Sequence, residues 1–208
     1  MTEPALIEFR GVSKRFGATI AMDGVDLDLR AGTVHGLVGE NGAGKSTLGK
    51  VLAGVHQPDA GKLVIDGHEV ALRTPRQALA HGITAITQEL SLVHARSVLD
   101  NVFLGIESAR GGLLDHAEQR RRFDGLVEET GLSVPAGATV GSLPLATQQQ
   151  VEILRALARD AKVVVLDEPT ARLSATESEQ LHAIVRSIAA RGTAIVFISH
   201  FLEEVLET

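Results

Sequence analysis

The sequence predicts an α/β fold with a largely parallel sheet and a helical insertion. Three observations carry this. Short β-like apolar runs alternate with helical patterns along most of the 208 residues, which is the order of a parallel sheet covered by helices. One run, Val163-Val164-Val165-Leu166, is apolar without alternation, as expected of a strand buried on both faces. Between about Leu90 and Asp160 no convincing strand is read, so that stretch is expected to be helical.

The elements follow in order. Ala5 to Phe9 and Val25 to Leu29 read as strands; the alternation in Val25-Asp26-Leu27-Asp28-Leu29 suits a half-exposed sheet face. Val34 to Val38 is a short apolar strand, followed by a helix from about Lys45 to Ala53. Leu63 to Gly67 reads as a strand entering a turn. Thr74-Pro75 supplies an N-cap with proline at the first helical position, opening a helix to about His81. Ile83 to Gln88 is a further strand. Asp115 to Thr130 is charged and periodic, a solvated helix, and Gln148 to Arg159 places Val151, Leu154, Leu157 and Ala158 on one face. Lys162 to Leu166 is the buried strand. Ser174-Ala175-Thr176-Glu177 fits a capping box before a helix to about Ala190, and Gly192 to Ser199 is the last clear strand. Residues 1–89 and 161–208 are thus expected to form an α/β core and residues 90–160 a helical lobe, with Ser133 to Pro144 its principal loop.

Composition narrows the function classes. Hydrophobic residues make up 44% and charged residues 22%, a globular balance that excludes disordered and collagen-like chains. With no cysteine, disulfide frameworks, zinc-thiolate sites and cysteine nucleophiles are excluded. Twenty basic against 26 acidic residues give a net charge of −6, against the basic excess of nucleic-acid binders. The N-terminus lacks the basic and apolar regions of a signal peptide, and no apolar run of bilayer-spanning length occurs.

Two motifs carry chemistry. Gly39-Glu40-Asn41-Gly42-Ala43-Gly44-Lys45-Ser46 matches G-x-x-x-x-G-K-[ST], with a strand before it and a helix after it. Its glycines let backbone N–H groups wrap a polyphosphate, and the helix N-terminus adds positive partial charge. Lys45 reaches the β- and γ-phosphates in this pattern, and the Ser46 hydroxyl is a magnesium ligand. The second motif is the apolar strand ending in Asp167-Glu168. Carboxylates at the C-terminal end of a parallel strand sit where ligands bind. Asp167 is expected to hold magnesium, and Glu168 to orient and deprotonate an attacking water.

The order of Gly39–Ser46, Gln88, Gln148-Gln149-Gln150, Asp167-Glu168 and Ser199-His200 resembles the nucleotide-binding domain of an ABC transporter. The segments GLVGENGAGKSTLGKVLAGVHQPDAG, ITQELSLVHARSVLDNVFLG, QQQVEILRAL and VVVLDEPTARLSATE are similar to those of the sugar-import ATPases, and the likeness runs from about Ile7 to Glu204. The resemblance implies a P-loop NTPase core with a mainly parallel sheet, a helical subdomain and an N-terminal antiparallel β region. It makes the two motifs Walker A and Walker B, and implies ATP and Mg2+ as cofactors. Phe16 matches the aromatic that stacks on adenine. The loop Gly39, Glu40, Asn41, Gly42, Ala43, Gly44, Lys45, Ser46 and Thr47 binds phosphate. Gln88 matches the glutamine that touches magnesium and the nucleophilic water, and begins the segment facing the membrane partner. His200 matches the histidine that contacts the γ-phosphate.

The family signature L-S-G-G-Q departs from its pattern. Leu143-Pro144-Leu145-Ala146-Thr147 stands in its place, and proline has neither hydroxyl nor N–H to donate. Sites in the family are composite, so the phosphate loop built around Lys45 faces a signature on a partner domain. The implied partners are membrane permease subunits, a second nucleotide-binding domain, with this chain as the N-terminal half of one polypeptide, and indirectly a periplasmic or extracellular sugar-binding protein. No nucleic acid is implied, and the place of action is the cytoplasmic face of the membrane. A soluble ABC ATPase acting on ribosomes or DNA, and a non-catalytic nucleotide-binding module, are the competing classes.

Overall fold

A computed structural model describes residues 4–40, 42–110 and 112–201. Asn41, assigned above to the phosphate loop, lies outside the described residues, as do residues 202–208 at the end of the family resemblance.

The chain opens with a long hairpin, β1 (Ile7–Phe16) and β2 (Thr19–Leu29), paired antiparallel from Ile7↔Leu29 to Phe16↔Thr19. The sequence predicted only the base of each strand. Register shifts between Phe9 and Val12, Val12 and Lys14, and Lys14 and Arg15 interrupt the ladder. Each bulge resets which residues face inward, so the period-2 pattern fades over the outer half of the hairpin. Strand β3 (Val34–Val38) leads into α1 (Lys45–Leu52). Strand β4 (Ala60–Ile65) pairs antiparallel with β1, and β5 (His68–Val70) folds back on β4. The sequence did not predict β5. Its turn is Asp66-Gly67, both at positive φ (49° and 78°), the two-residue combination that fits the twist of a hairpin. The first sheet is therefore antiparallel, in the order β2-β1-β4-β5.

Helix α2 (Pro75–Ala80) starts at Thr74, whose side chain accepts from the Gln77 N–H. Strand β6 (Ile83–Ile86) follows. Helix α3 (Val98–Phe103) is capped by Ser97. A small hairpin, β7 (Ala109–Arg110) and β8 (Leu113–Leu114), corrects the expectation that residues 90–160 hold no strand; each arm is two residues long, too short to show periodicity. Helix α4 (His116–Thr130) is capped by Asp115 and ends at Gly131 in the left-handed conformation. After a 3-10 turn (Val140–Ser142), α5 (Leu145–Leu157), β9 (Val163–Asp167), α6 (Ala175–Ala189) and β10 (Ala194–Ser199) complete the described fold. The capping box at Ser174 and Glu177 forms as predicted.

The second sheet is parallel, in the order β3-β10-β9-β6. Its two inner strands send alternate side chains to two cores. Val164, Leu166, Ile195 and Phe197 pack with Phe103, Phe123 and Leu154 of the 90–160 segment. Val163, Val165, Val196 and Ile198 pack with Phe9, Leu29, Leu52 and Leu63 of the antiparallel sheet and α1. Burying each such side chain contributes about 1.5–3 kcal/mol relative to exposure. This double burial is why β9 and β10 read as continuous apolar runs, and it fixes the strand ends on which the site is built.

Candidate nucleotide site

The C-terminal edge of the parallel sheet gathers most of the residues singled out from the sequence. Strand β3 ends at Val38, and the loop from Gly39 delivers the chain to the N-terminus of α1. Gly42 and Gly44 both adopt φ 87°, where a side chain is strained. Gly44 is also the N-cap of α1, and a Cβ there would lie 2.1 Å from the Ala21 carbonyl oxygen of β2. The loop is thereby pressed against the antiparallel sheet with no room for a side chain at that point.

Lys45 lies over its own loop: its Nζ donates to the Gly39 carbonyl at 2.5 Å and the Glu40 carbonyl at 3.0 Å. The Ser46 Oγ donates to Asp167 Oδ1 at 3.1 Å across 121 residues of sequence. The first turn of α1 and the end of β9 therefore meet in one bond, between the hydroxyl and the carboxylate expected to bind metal. Both atoms are hard oxygen donors, the type magnesium takes from protein, so the residues present fit that ion. Thr47 follows in the same helical turn, partly buried.

Glu168 follows directly. It is one of three non-glycine residues at positive φ (49°) among those described, a conformation that persists where neighbours over-determine it. Its N–H donates to the Ile198 carbonyl at 3.0 Å, and the Ala171 N–H donates to its carbonyl at 3.3 Å. Gln149 of α5 adds a further tie, donating from Nε2 to the Pro169 carbonyl at 2.5 Å. The Glu168 carboxylate is thereby turned toward His200, whose Nδ1 lies 3.7 Å from Oε1. Gln149 was noticed in the sequence only as part of a glutamine run; its contact depends on how α5 lies against β9.

Gln88 sits two residues beyond β6 with its side chain exposed, on the same sheet edge but bonded to none of the residues above. Phe16 lies at the tip of the β1–β2 hairpin, 45% exposed. Its ring meets His56 edge-on at 5.1 Å, and Lys14 Nζ lies 5.5 Å from its centre. Pro144 is the exposed N-cap of α5 and gives that helix no side-chain cap. Beneath the sheet edge, a cavity of about 310 Å³ opens between α1, α2, β6 and α5, bordered by Thr87, Glu152, Arg155 and Asp167.

A family model described as "ABC transporter" matches residues 22–171. The chain belongs to the ABC transporter family. Its similarity to curated proteins extends well past the matched segment. It is 46% identical over 202 residues, 97% of its length, to "Ribose import ATP-binding protein RbsA 1" of Rubrobacter xylanophilus, covering 40% of that protein. It is 44% identical over 207 residues, 100% of its length, to "Ribose import ATP-binding protein RbsA 2" of Escherichia coli O157:H7, covering 41% of that protein. The chain therefore spans about two fifths of the length of the curated relatives it matches. Among solved structures, a nucleotide-free ATP-binding cassette from an ABC transporter superposes with a TM-score of 0.84 at 26% identity, covering 97% of this chain and 84% of that one. A cassette in its ADP conformation gives 0.86 at 26% identity, covering 98% and 84%. The P-loop core, the parallel sheet and the antiparallel region expected from the sequence are those of this ABC fold.

Proposed function

We propose that the chain is the ATP-binding and ATP-hydrolysing cassette of an ABC importer for a sugar, and the N-terminal half of a two-cassette polypeptide. The observation that carries the proposal is the Ser46–Asp167 bond, which brings the phosphate loop and the strand-end carboxylate into one oxygen-donor pair. In this reading the loop of residues 39–47 cradles the triphosphate, Lys45 places its charge on the β- and γ-phosphates, and Phe16 stacks on adenine. Ser46 and Asp167, with Gln88, would hold magnesium, which would supply positive charge against the negative charge that develops on the transferring phosphoryl group. Glu168 takes a proton from the attacking water as its oxygen bonds to the γ-phosphorus and the bond to the β–γ bridging oxygen breaks, leaving ADP and inorganic phosphate. His200, beside Glu168, contacts the γ-phosphate.

The same reading assigns residues 1–89 and 161–208 to the ATP-binding core and 90–160 to the helical subdomain. The names of the relatives support ribose or a similar sugar as the cargo. Membrane permease subunits engage the region from Gln88 to Gly105 at the cytoplasmic face of the membrane, and an external sugar-binding protein delivers the cargo. Among the described residues no helix is long and apolar enough to cross a membrane. Pro144 in the signature position leaves the composite site around Lys45 dependent on the signature of the second cassette.

The test is Lys45→Ala. Removing a charge-assisted phosphate contact in a partly buried site should weaken Mg-ATP binding more than tenfold, by roughly 1.5–3 kcal/mol. Unchanged affinity by titration calorimetry refutes the assignment.

A further inference from the structure

Helix α1 begins at the phosphate loop, and the chain leaving its other end returns to the tip of the β1–β2 hairpin. The N–H groups of Val55 and His56 both donate to the Lys50 carbonyl, at 2.8 and 3.1 Å, which folds the connection back on the helix. From there Asp59 grips the hairpin at three points. Its N–H donates to the Ser13 carbonyl at 2.9 Å. One carboxylate oxygen accepts from Lys14 Nζ at 2.8 Å and the other from the Arg15 N–H at 2.7 Å. The hydrogen bond from Lys14 holds the Asp59 carboxyl below its ordinary range, consistent with an ionised partner.

These ties fall where the β1–β2 ladder is weakest, since two of its three register shifts lie between Val12 and Arg15. Phe16 is the next residue. His56 meets its ring edge-on at 5.1 Å, an arrangement aromatic pairs favour. Lys14, already fixed by Asp59, sits 5.5 Å from the same ring, within the range of a cation–π contact. One loop therefore supplies both the backbone anchor and a side wall for an aromatic ring that is still 45% exposed.

We infer that His56 and Asp59 are positioning residues that set affinity for the nucleotide base. They hold the Phe16 ring in the orientation that receives the base, so that less side-chain freedom is lost on binding. The inference rests on the reading of Phe16 as the base contact. It also makes α1 a strut between two recognition elements, with phosphates at its N-terminus and the base platform beyond its C-terminus.

Two ligands separate the contributions: Mg-ATP, and Mg-tripolyphosphate, which carries the phosphates without a base. Titration calorimetry on the chain compares wild type with Phe16→Ala, His56→Ala, Asp59→Ala and Asp59→Asn. Phe16→Ala should weaken Mg-ATP roughly tenfold, in keeping with the worth of one stacked base, and leave tripolyphosphate unchanged. His56→Ala and Asp59→Ala should each reproduce roughly three- to tenfold of that selective loss, with Asp59→Asn smaller because its oxygen still accepts from Arg15. Retained tripolyphosphate binding shows that each variant has folded its phosphate loop. If Phe16→Ala is selective and the Asp59 and His56 variants bind Mg-ATP like wild type, or lose both ligands equally, the inference is overturned while the Phe16 reading stands. If Phe16→Ala itself changes nothing, both are overturned.

Discussion

Gly42 and Gly44 offer a controlled measurement of how tightly the phosphate loop is seated. Both have φ 87°, so an alanine at either pays a left-handed backbone penalty, about 1–2 kcal/mol. They differ in space. A Cβ on Gly42 meets nothing within 4 Å, whereas one on Gly44 lies 2.1 Å from the Ala21 carbonyl oxygen and 3.2 Å from Met22 Cγ. Ala21 belongs to β2, and the atom met is backbone rather than the far end of a flexible side chain, so relief requires the strand itself to shift. The clash should add about 1–3 kcal/mol, the usual penalty of overpacking. At roughly 2–4 °C per kcal/mol for a chain of this size, Gly42→Ala should lower Tm by about 2–8 °C and Gly44→Ala by about 4–20 °C. Thermal melts followed by circular dichroism check this, and Mg-ATP calorimetry on the same samples should show the larger loss of affinity for Gly44→Ala. Equal Tm shifts for the two variants would falsify the claim that the loop is wedged against β2.

Glu168→Gln keeps the shape of the side chain and removes the proton acceptor; in the assembled transporter, Mg-ATP binding should persist while turnover falls on the order of 100-fold or more, and near-normal turnover would shift the base role to His200. The isolated chain should bind Mg-ATP yet hydrolyse it slowly, because two copies would face Pro144 across the interface; Pro144→Ser combined with Ala146→Gly should raise steady-state hydrolysis, a preorganised donor being worth about 3 kcal/mol, and brisk turnover by the unmodified chain counts against the composite site. His35 should mark an acid-sensitive step in stability. Burial holds its pKa below the ordinary 6.5, and Nε2 accepts from the Arg30 N–H at 3.0 Å, so its contribution is present above pH 6.5 and lost as pH falls through the lowered value. His35→Gln should flatten chemical-denaturation stability over that window, and an unchanged pH profile would exclude His35 as its source.

Local signals in the sequence were enough to place β3, α1, α6 and β9, because each is written in a few consecutive residues: an apolar run, a glycine loop, a capping box. The outer half of the β1–β2 hairpin was not legible, since its bulges break the alternation by which strands are recognised. Strand β5 was short enough to pass for the end of a turn, and β7 and β8 were shorter still. The site divides in the same way. Lys45, Ser46, Asp167 and Glu168 stood out through motif chemistry, but the bond between Ser46 and Asp167 depends on strand order, to which no local pattern testifies. Nor does the residue type of Glu168 announce a left-handed backbone, which is imposed by ties to Ile198, Ala171 and, through Pro169, Gln149. The contacts of Phe16 with His56 and Lys14 join segments distant in the chain, and only the folded hairpin brings them together.

The strand order β3-β10-β9-β6 also governs when the site comes into being. Among the described residues, strand β3, which carries the phosphate loop, has β10 as its only neighbour in the parallel sheet, and β10 is the last strand described. During synthesis the loop emerges early, yet the strand beneath it has no parallel partner until nearly all of the described chain has been made. Pairings of such sequence separation require large loop closures before they are rewarded, and they slow folding. Within the described chain the strand beneath the phosphate loop thus gains its parallel partner after the rest of that sheet has been made, and a ligand that bridges β3 and β9 would favour the completed sheet over partly assembled ones.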